Sequence, residues 1–267
     1  MGKKKLIGLQ MYTLRDFLKT PADMAKTLAR VRKIGYEYVQ ISGFGTIESA
    51  DLRALLDKNK LKAIGSHTGL AAMRENFKKV VDDLHALGIA YVAIPHLDSS
   101  KYTKAIYWSK EAKSWNAIGK AFKKEGITLQ YHNHEFEFVR FGDKTALDII
   151  FESTDPEYLQ AELDLHWVVR GGGCPIEWIY KMKGRMDQVH LKDMTIWQRT
   201  EKVDGNDKVL RSPVMAEIGH GNLPWSGIFK ALNDIGCSTW FVEQDSCPIT
   251  NDPFKSVAMS FNYITKK

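Results

Sequence analysis

Residues 129–138 read Leu-Gln-Tyr-His-Asn-His-Glu-Phe-Glu-Phe and put Gln130, His132, His134, Glu135 and Glu137 into ten positions. The residues leading in, 127–131, are apolar or β-favouring and follow a helical stretch that closes at Gly126. The chain is therefore expected to enter a buried parallel strand and leave it at the histidines. Polar chemistry then sits at a strand's C-terminal end, and the question is whether the same unit recurs.

It recurs along the whole chain. Residues 6–13 read as a first strand, and 21–34 as a helix with Met24, Leu28, Val31 and Ile34 on one face, closed by Gly35. Further strands are expected at 38–42, 62–66, 91–95, 159–165, 187–191 and 239–242, with helices at 47–58, 71–87, 109–124, 146–153, 175–182, 225–235 and 252–263. Residues 193–222, with Gly205, Pro213, Gly219 and Gly221, read as a long irregular segment. Eight strands alternating with eight helices predict an α/β protein, a (β/α)8 barrel in one domain over 1–267. A Rossmann-type sheet needs a glycine-rich turn after its first strand, and none follows residues 6–13.

Length and composition agree, since 267 residues suit one barrel and 44% apolar with 26% charged residues describe an ordinary globular protein. The net charge of +6 comes from the chain ends and from scattered lysines, so no nucleic-acid partner is expected. Cys174, Cys237 and Cys247 lack metal-ligand spacing and imply no disulfide framework. No apolar run is long enough to span a membrane, and residues 1–5 lead straight into a strand. A cytoplasmic location is the expectation, with a trimmed export signal as the alternative.

In such a barrel the active site lies at the C-terminal ends of the strands. Those ends carry Gln10 and Tyr12, His67, His96, then His132, His134 and Glu137, then Asp164, His166 and Trp167, then His190, Lys192 and Asp193, and last Glu243, Gln244 and Asp245. An Asp, a His and a Glu at three successive strand ends, with another side chain from the strand before, match the mixed oxygen and nitrogen ligands of a divalent cation. With no thiolate offered, the set suits Mn, Co, Zn or Mg. Each residue also has a plainer reading: Asp164 as a helix cap or a partner of Arg170, His190 as a hydrogen-bonded core histidine, Glu243 as a buried paired carboxylate.

The motifs Gly-Leu-Gln-Met-Tyr-Thr-Leu-Arg (8–15), Glu-Leu-Asp-Leu-His-Trp (162–167), His-Leu-Lys-Asp (190–193) and Phe-Val-Glu-Gln-Asp (241–245) together resemble the xylose isomerase-like barrels called sugar phosphate isomerases/epimerases. The resemblance implies one divalent cation held by a Glu, an Asp, a His and a Glu from strands five to eight. Carried over, Asp164, His190 and Glu243 fill the last three places. The first departs from the pattern: where the family often has Glu-Asn-His, this chain has His132-Asn133-His134, which makes His132 the expected ligand and Gln130, on the same strand face, the alternative.

The resemblance further implies a metal-dependent isomerase or epimerase that moves a proton on a sugar or keto-sugar through a metal-stabilised enediolate. Glu243 is one candidate acid/base, and His134, Glu137 or Glu135 the second. Lys192 is expected to bind an oxyanion, Tyr12 and Trp167 to stack on a sugar, His67 and His96 to contact hydroxyls, and His220 to close the site. The competing readings are a 3-keto-glycoside lyase or hydrolase on the same metal site, a sugar-binding barrel without catalysis, and a nuclease of the abasic-site class. Residues 193–222 are expected to set specificity or to mediate homo-oligomer contacts.

Overall fold

The computed structural model describes residues 4–266, so the first three residues of the lysine-rich start lie outside the described chain. Eight parallel strands close into a barrel: β1 (Leu6–Gln10), β2 (Tyr38–Ile41), β3 (Lys62–His67), β4 (Tyr91–Ile94), β5 (Thr128–His132), β6 (Gln160–Asp164), β7 (Gln188–Leu191) and β8 (Thr239–Val242). Closure runs through β1 against β8, in register from Leu6↔Thr239 to Leu9↔Val242. The helices between them are α1 (Pro21–Ile34), α2 (Ser49–Lys58), α3 (Phe77–Leu87), α4 (Ala105–Lys124), α5 (Ala146–Glu152), α6 (Pro175–Lys181), α7 (Trp225–Ile235) and α8 (Pro253–Thr265). Among the described residues no helix is long and apolar enough to cross a membrane.

Strand alternation divides the buried residues into two populations. Leu9, Val39, Leu129, Tyr131, Leu163, Val189, Leu191, Trp240 and Val242 are buried and face the helices; Tyr131 stacks on Trp115 of α4, and Trp240 on Phe229 of α7. The inward positions are mostly polar: Gln10, Gln40, Gln130, His132, Glu162, Asp164, Gln188 and His190 are all buried. Inside the barrel, in place of the branched aliphatic layers usual in this architecture, lies a polar column that rises to the mouth.

Three local expectations need correction. The first strand ends at Gln10, because the Gln10 side chain accepts the Tyr12 backbone N–H and turns residues 11–17 into a 3-10 helix. The third helix is broken at Asn76, whose φ of −132° and ψ of 38° separate Leu70–Glu75 from α3. Residues 193–216 are not irregular. They form an antiparallel hairpin, Asp193–Val203 against Asn206–Ala216, turned by Asp204 and Gly205 at φ of 52° and 79°. Positive φ at both central residues is the two-residue hairpin turn that Asp-Gly favours. Pro213 is tolerated because a two-stranded ribbon has two open edges.

The hairpin is fastened to the barrel by one side chain. Asp193, fully buried, accepts five hydrogen bonds: from the backbone N–H of Met194 (2.8 Å), Leu223 (3.1 Å), Gly219 (3.0 Å) and Gly221 (3.0 Å), and from the Trp225 indole N–H (2.6 Å). A Cβ on Gly221 would sit 2.3 Å from the Asp193 carboxylate, so glycine is required for this approach. Removing the carboxylate leaves five donors without their acceptor, those of Leu223 and Trp225 buried. Asp193→Ala is expected to destabilise the fold by about 3–5 kcal/mol, seen in thermal unfolding as a fall in Tm of roughly 10 °C; an unchanged Tm would contradict the fastening role.

Candidate metal centre and active site

The mouth of the barrel is assembled from the last residues of β5 to β8. Asp164 closes β6 and serves two masters: its Oδ1 caps the following turn by accepting the N–H groups of His166 (3.0 Å) and Trp167 (3.2 Å), which leaves Oδ2 turned toward the barrel axis. Asn133 ties the ends of β5 and β6 together, its Oδ1 accepting the Asp164 N–H at 3.0 Å. His132, Asp164, His190 and Glu243 each offer one ligand atom, and the four atoms all lie within 4.8 Å of one another. His190 Nδ1 is 2.6 Å from Glu243 Oε2, and His132 Nε2 is 3.8 Å from Asp164 Oδ2.

Lys192 sits among them. Its ammonium is 2.9 Å from Asp164 Oδ2, 2.8 Å from Glu243 Oε2 and 2.8 Å from Asp245 Oδ2. Burial opposes its charge, but the three carboxylates outweigh that and hold its pKa well above the usual lysine range. Burial and the charge of Glu243 push the Asp164 carboxyl up to about 6 against the pull of Lys192. For Glu243 burial acts upward too, yet Lys192 and His190 hold it well below the ordinary value. Burial disfavours a charged His190, and the facing Glu162 and Glu243 override it to lift its pKa to about 10.

Glu162 was missed by a reading confined to strand ends. It lies one inward position below Asp164, fully buried, with Oε2 2.7 Å from His67 Nε2, 3.4 Å from His190 Nε2 and 3.7 Å from His132 Nδ1. Its carboxylate thus faces three imidazoles, two of which face the upper cluster with their other nitrogens. A carboxylate behind ring nitrogens is the arrangement that orients metal-bound histidines. The alternation Ala-Glu-Leu-Asp along β6 was the available signal.

The donor set fits a divalent cation. Glu162, Asp164, Glu243 and Asp245 bring four carboxylates into one region against Lys192 and His190, an excess of negative charge that a dication would neutralise. Asp164 Oδ2 accepts no hydrogen bond despite its burial, its approach to Lys192 being an ion pair without hydrogen-bond geometry. The ligands are oxygens and imidazoles only.

Above the cluster opens a cavity of about 300 Å³. Tyr12, His67, His96, His132, His134, Lys192, Glu243 and Asp245 line it. Tyr12 is half exposed at the rim, its ring under the Arg15 guanidinium. His134 lies 5.3 Å from His96 and stacks on Phe136 at 5.6 Å between ring centres; burial first, then the charge of Lys192, lowers its pKa to about 3. Trp167 stands behind His134, 5.5 Å away, with the Lys192 ammonium 5.5 Å from its ring centre.

Other expected site residues lie elsewhere. Glu137 is fully buried away from the cavity: the Tyr131 hydroxyl donates to it at 2.6 Å and the His134 N–H at 2.8 Å, so it locks the turn after β5. Strand alternation no longer applied to it, because residues 136–138 form a 3-10 turn. Glu135 is exposed, as is His220, which sits on the turn gathered by Asp193 and outside the cavity lining. Gln130 is buried within the barrel with neither amide atom bonded to protein.

A closed eight-stranded parallel barrel carrying an imidazole–carboxylate cluster at its C-terminal mouth defines a class, that of barrels with a cluster able to hold a cation beside a small-molecule cavity. Residues 28–252 match the family model described as xylose isomerase-like TIM barrel, and the chain belongs to that family. It is 22% identical over 268 residues to an inosose dehydratase of Geobacillus kaustophilus, spanning 90% of this chain and 86% of that protein. The solved structure of a sugar phosphate isomerase/epimerase from Parabacteroides distasonis superposes with a TM-score of 0.81 at 24% identity, covering 98% of both chains. A xylose isomerase-like barrel protein from Mycobacterium smegmatis, solved in complex with magnesium, superposes at 0.69 and 15% identity over 99% of this chain and 96% of that one.

Burial pushes the Glu137 carboxyl up to about 8 against the bonds from Tyr131 and the backbone. A raised acid holds its proton more tightly in the folded state, so the stability it lends is full below about pH 4.5 and is lost as pH approaches 8. Denaturant unfolding of wild type and Glu137→Gln between pH 4.5 and 8 is expected to show wild type losing on the order of 4 kcal/mol relative to the variant. Parallel curves would place the carboxyl at its ordinary value.

Proposed function

We propose that this protein is a divalent-cation-dependent enzyme that removes the proton beside the carbonyl of a keto-sugar or ketocyclitol and then expels an oxygen substituent from the next carbon. His132, Asp164, His190 and Glu243 would hold the cation, which supplies polarisation of the substrate carbonyl and stabilisation of developing negative charge. Glu243 is the base that takes the proton, and the electron pair of the broken C–H bond moves toward the carbonyl to give an enediolate-type anion. As that anion returns its electrons, the β-carbon–oxygen bond breaks, and the departing oxygen takes up a proton from the protonated Glu243 or from solvent and leaves as water or as an alcohol. Lys192 supports the oxyanion from beside Glu243. His67, His96 and His134 contact hydroxyls and Tyr12 flanks the ring from the rim, while Trp167, expected to stack on a sugar, lies outside the cavity lining and backs His134.

The observation that carries this reading is the one-sided distribution of carboxylates. Those lining the cavity, Glu243 and Asp245, both follow β8, while the facing wall beyond β3 to β5 presents His67, His96 and His134. Epimerisation by two carboxylates on opposite faces has no second carboxylate here; elimination needs a base on one face only. The relationship to an inosose dehydratase supports the same outcome, and the cavity volume, at the lower end for small-molecule sites, suits a single ring. The location of His134 on the facing wall supports a second reading, in which the proton returns there and the product is an epimer or isomer.

Metal-loaded protein incubated in deuterated water with inososes, 3-keto-glucosides and ketohexoses separates these outcomes by NMR. Loss of water or aglycone from the first two substrates is the expected result; deuterium exchange with new ketohexoses and no elimination favours the epimerase. Glu243→Gln is expected to lower kcat by about 100-fold or more. His132→Ala should lose cation affinity by at least about 100-fold, whereas Gln130→Ala stays within a few-fold; the reverse order would move the ligand to Gln130.

A further inference from the structure

Hydrogen-bond accounting beneath the cluster fixes more than position. Gln10 is fully buried, and its Oε1 accepts the Tyr12 backbone N–H at 3.3 Å. A backbone N–H only donates, so the opposite orientation of this amide would set two donors against each other. The Gln10 Nε2 therefore points across to β2, where it donates to Gln40 Oε1 at 2.8 Å. That sets Gln40 in turn, and its Nε2 donates to Glu162 Oε1 at 2.5 Å.

Gln40 Oε1 also lies 2.6 Å from His190 Nε2. An amide oxygen only accepts, so His190 must carry a hydrogen on Nε2. Nδ1, the atom 2.6 Å from Glu243 Oε2, is then the nitrogen that either carries the second hydrogen of the charged ring or offers its lone pair to a cation. A lone pair and a carboxylate oxygen at that distance repel each other unless a proton or a cation joins them.

We infer that Gln10 and Gln40 form an amide relay, anchored on one backbone N–H of the turn after β1, that holds a hydrogen on His190 Nε2 and so makes Nδ1 the nitrogen presented to a divalent cation. Both glutamines are buried and lie outside the residues lining the cavity, so they are positioning residues and touch no substrate. Glu162 works in the same sense, its Oε2 facing His190 Nε2 at 3.4 Å. Gln10 is two steps from the imidazole, and its influence passes entirely through the orientation of Gln40. Gln130 shows that the relay is particular to β1 and β2: the same residue type, equally buried in the same barrel, bonds to no protein group. The inference rests on the proposed reading of His190 as a ligand, but the protonation of Nε2 does not.

The test uses the full-length protein and three variants, Gln40→Met, Gln10→Met and Gln130→Met, each checked for an unchanged unfolding transition. Ring ¹⁵N spectra of metal-free wild type are expected to show His190 with a hydrogen on Nε2. Calorimetric titration with Mn2+ is expected to show Gln40→Met weakened by about 10–100-fold, Gln10→Met weakened less, and Gln130→Met within about two-fold of wild type. In the two relay variants His190 rings lacking a hydrogen on Nε2 should become detectable. A wild-type ring carrying its only hydrogen on Nδ1, a Gln40→Met protein that binds Mn2+ like wild type, or an equal loss in Gln130→Met would overturn the relay. Should wild type bind no cation while Nε2 remains protonated in wild type and not in Gln40→Met, the relay stands and the functional reading fails.

Discussion

Crowded negative charge in a largely buried barrel mouth is the constraint around which this structure is arranged. Glu162, Asp164, Glu243 and Asp245 converge within a few ångströms, three of them buried, and only the Lys192 ammonium and the His190 ring answer them with positive charge. Isolated carboxylates in such a place would be costly. The surrounding donors, Gln40 to Glu162 and the His166 and Trp167 N–H groups to Asp164, satisfy the outward-facing oxygens and leave the inward ones directed at one another and at the cations. The geometry is one that a positive ion could complete.

This charge arrangement needs the polar column beneath it. A barrel filled with valine and leucine would hold its strands as well, but it could not set which nitrogen of His190 faces the mouth. Gln10, Gln40 and Glu162 do so while remaining out of contact with the cavity. The helices outside carry the apolar burial, through contacts such as Tyr131 on Trp115 and Trp240 on Phe229, so the interior is free to be polar. Stability and chemistry are divided between the two faces of the same strands.

That division explains what could be read from the chain alone. The fold was legible because each strand is short, apolar on its outer face and followed by a helix with a single apolar stripe. His132, Asp164, His190 and Glu243 were legible as polar residues ending apolar strands, and the structure brings their ligand atoms together. Glu162 and Gln40 were not, because they lie a layer deeper and their partners are on strands far away in sequence. Glu137 and His220 were misplaced for a common reason: beyond the strand ends the chain turns, and side-chain direction depends on contacts such as Tyr131 to Glu137 or Asp193 to Gly219 that no local pattern encodes. The hairpin was hidden by its own turn residues, since Asp204-Gly205 reads as a break until its flanks are seen to pair.

Lys192 sharpens the account, because its ammonium lies against the two carboxylates, Asp164 and Glu243, that a divalent ion would share. Anomalous diffraction from crystals soaked in Mn2+ is the most direct measurement. The account predicts one strong peak within bonding distance of His132, Asp164, His190 and Glu243, with Lys192 moved off Asp164 and toward Asp245. Crystals saturated with Mn2+ that show no peak there, and Lys192 still bridging Asp164 and Glu243, would contradict it.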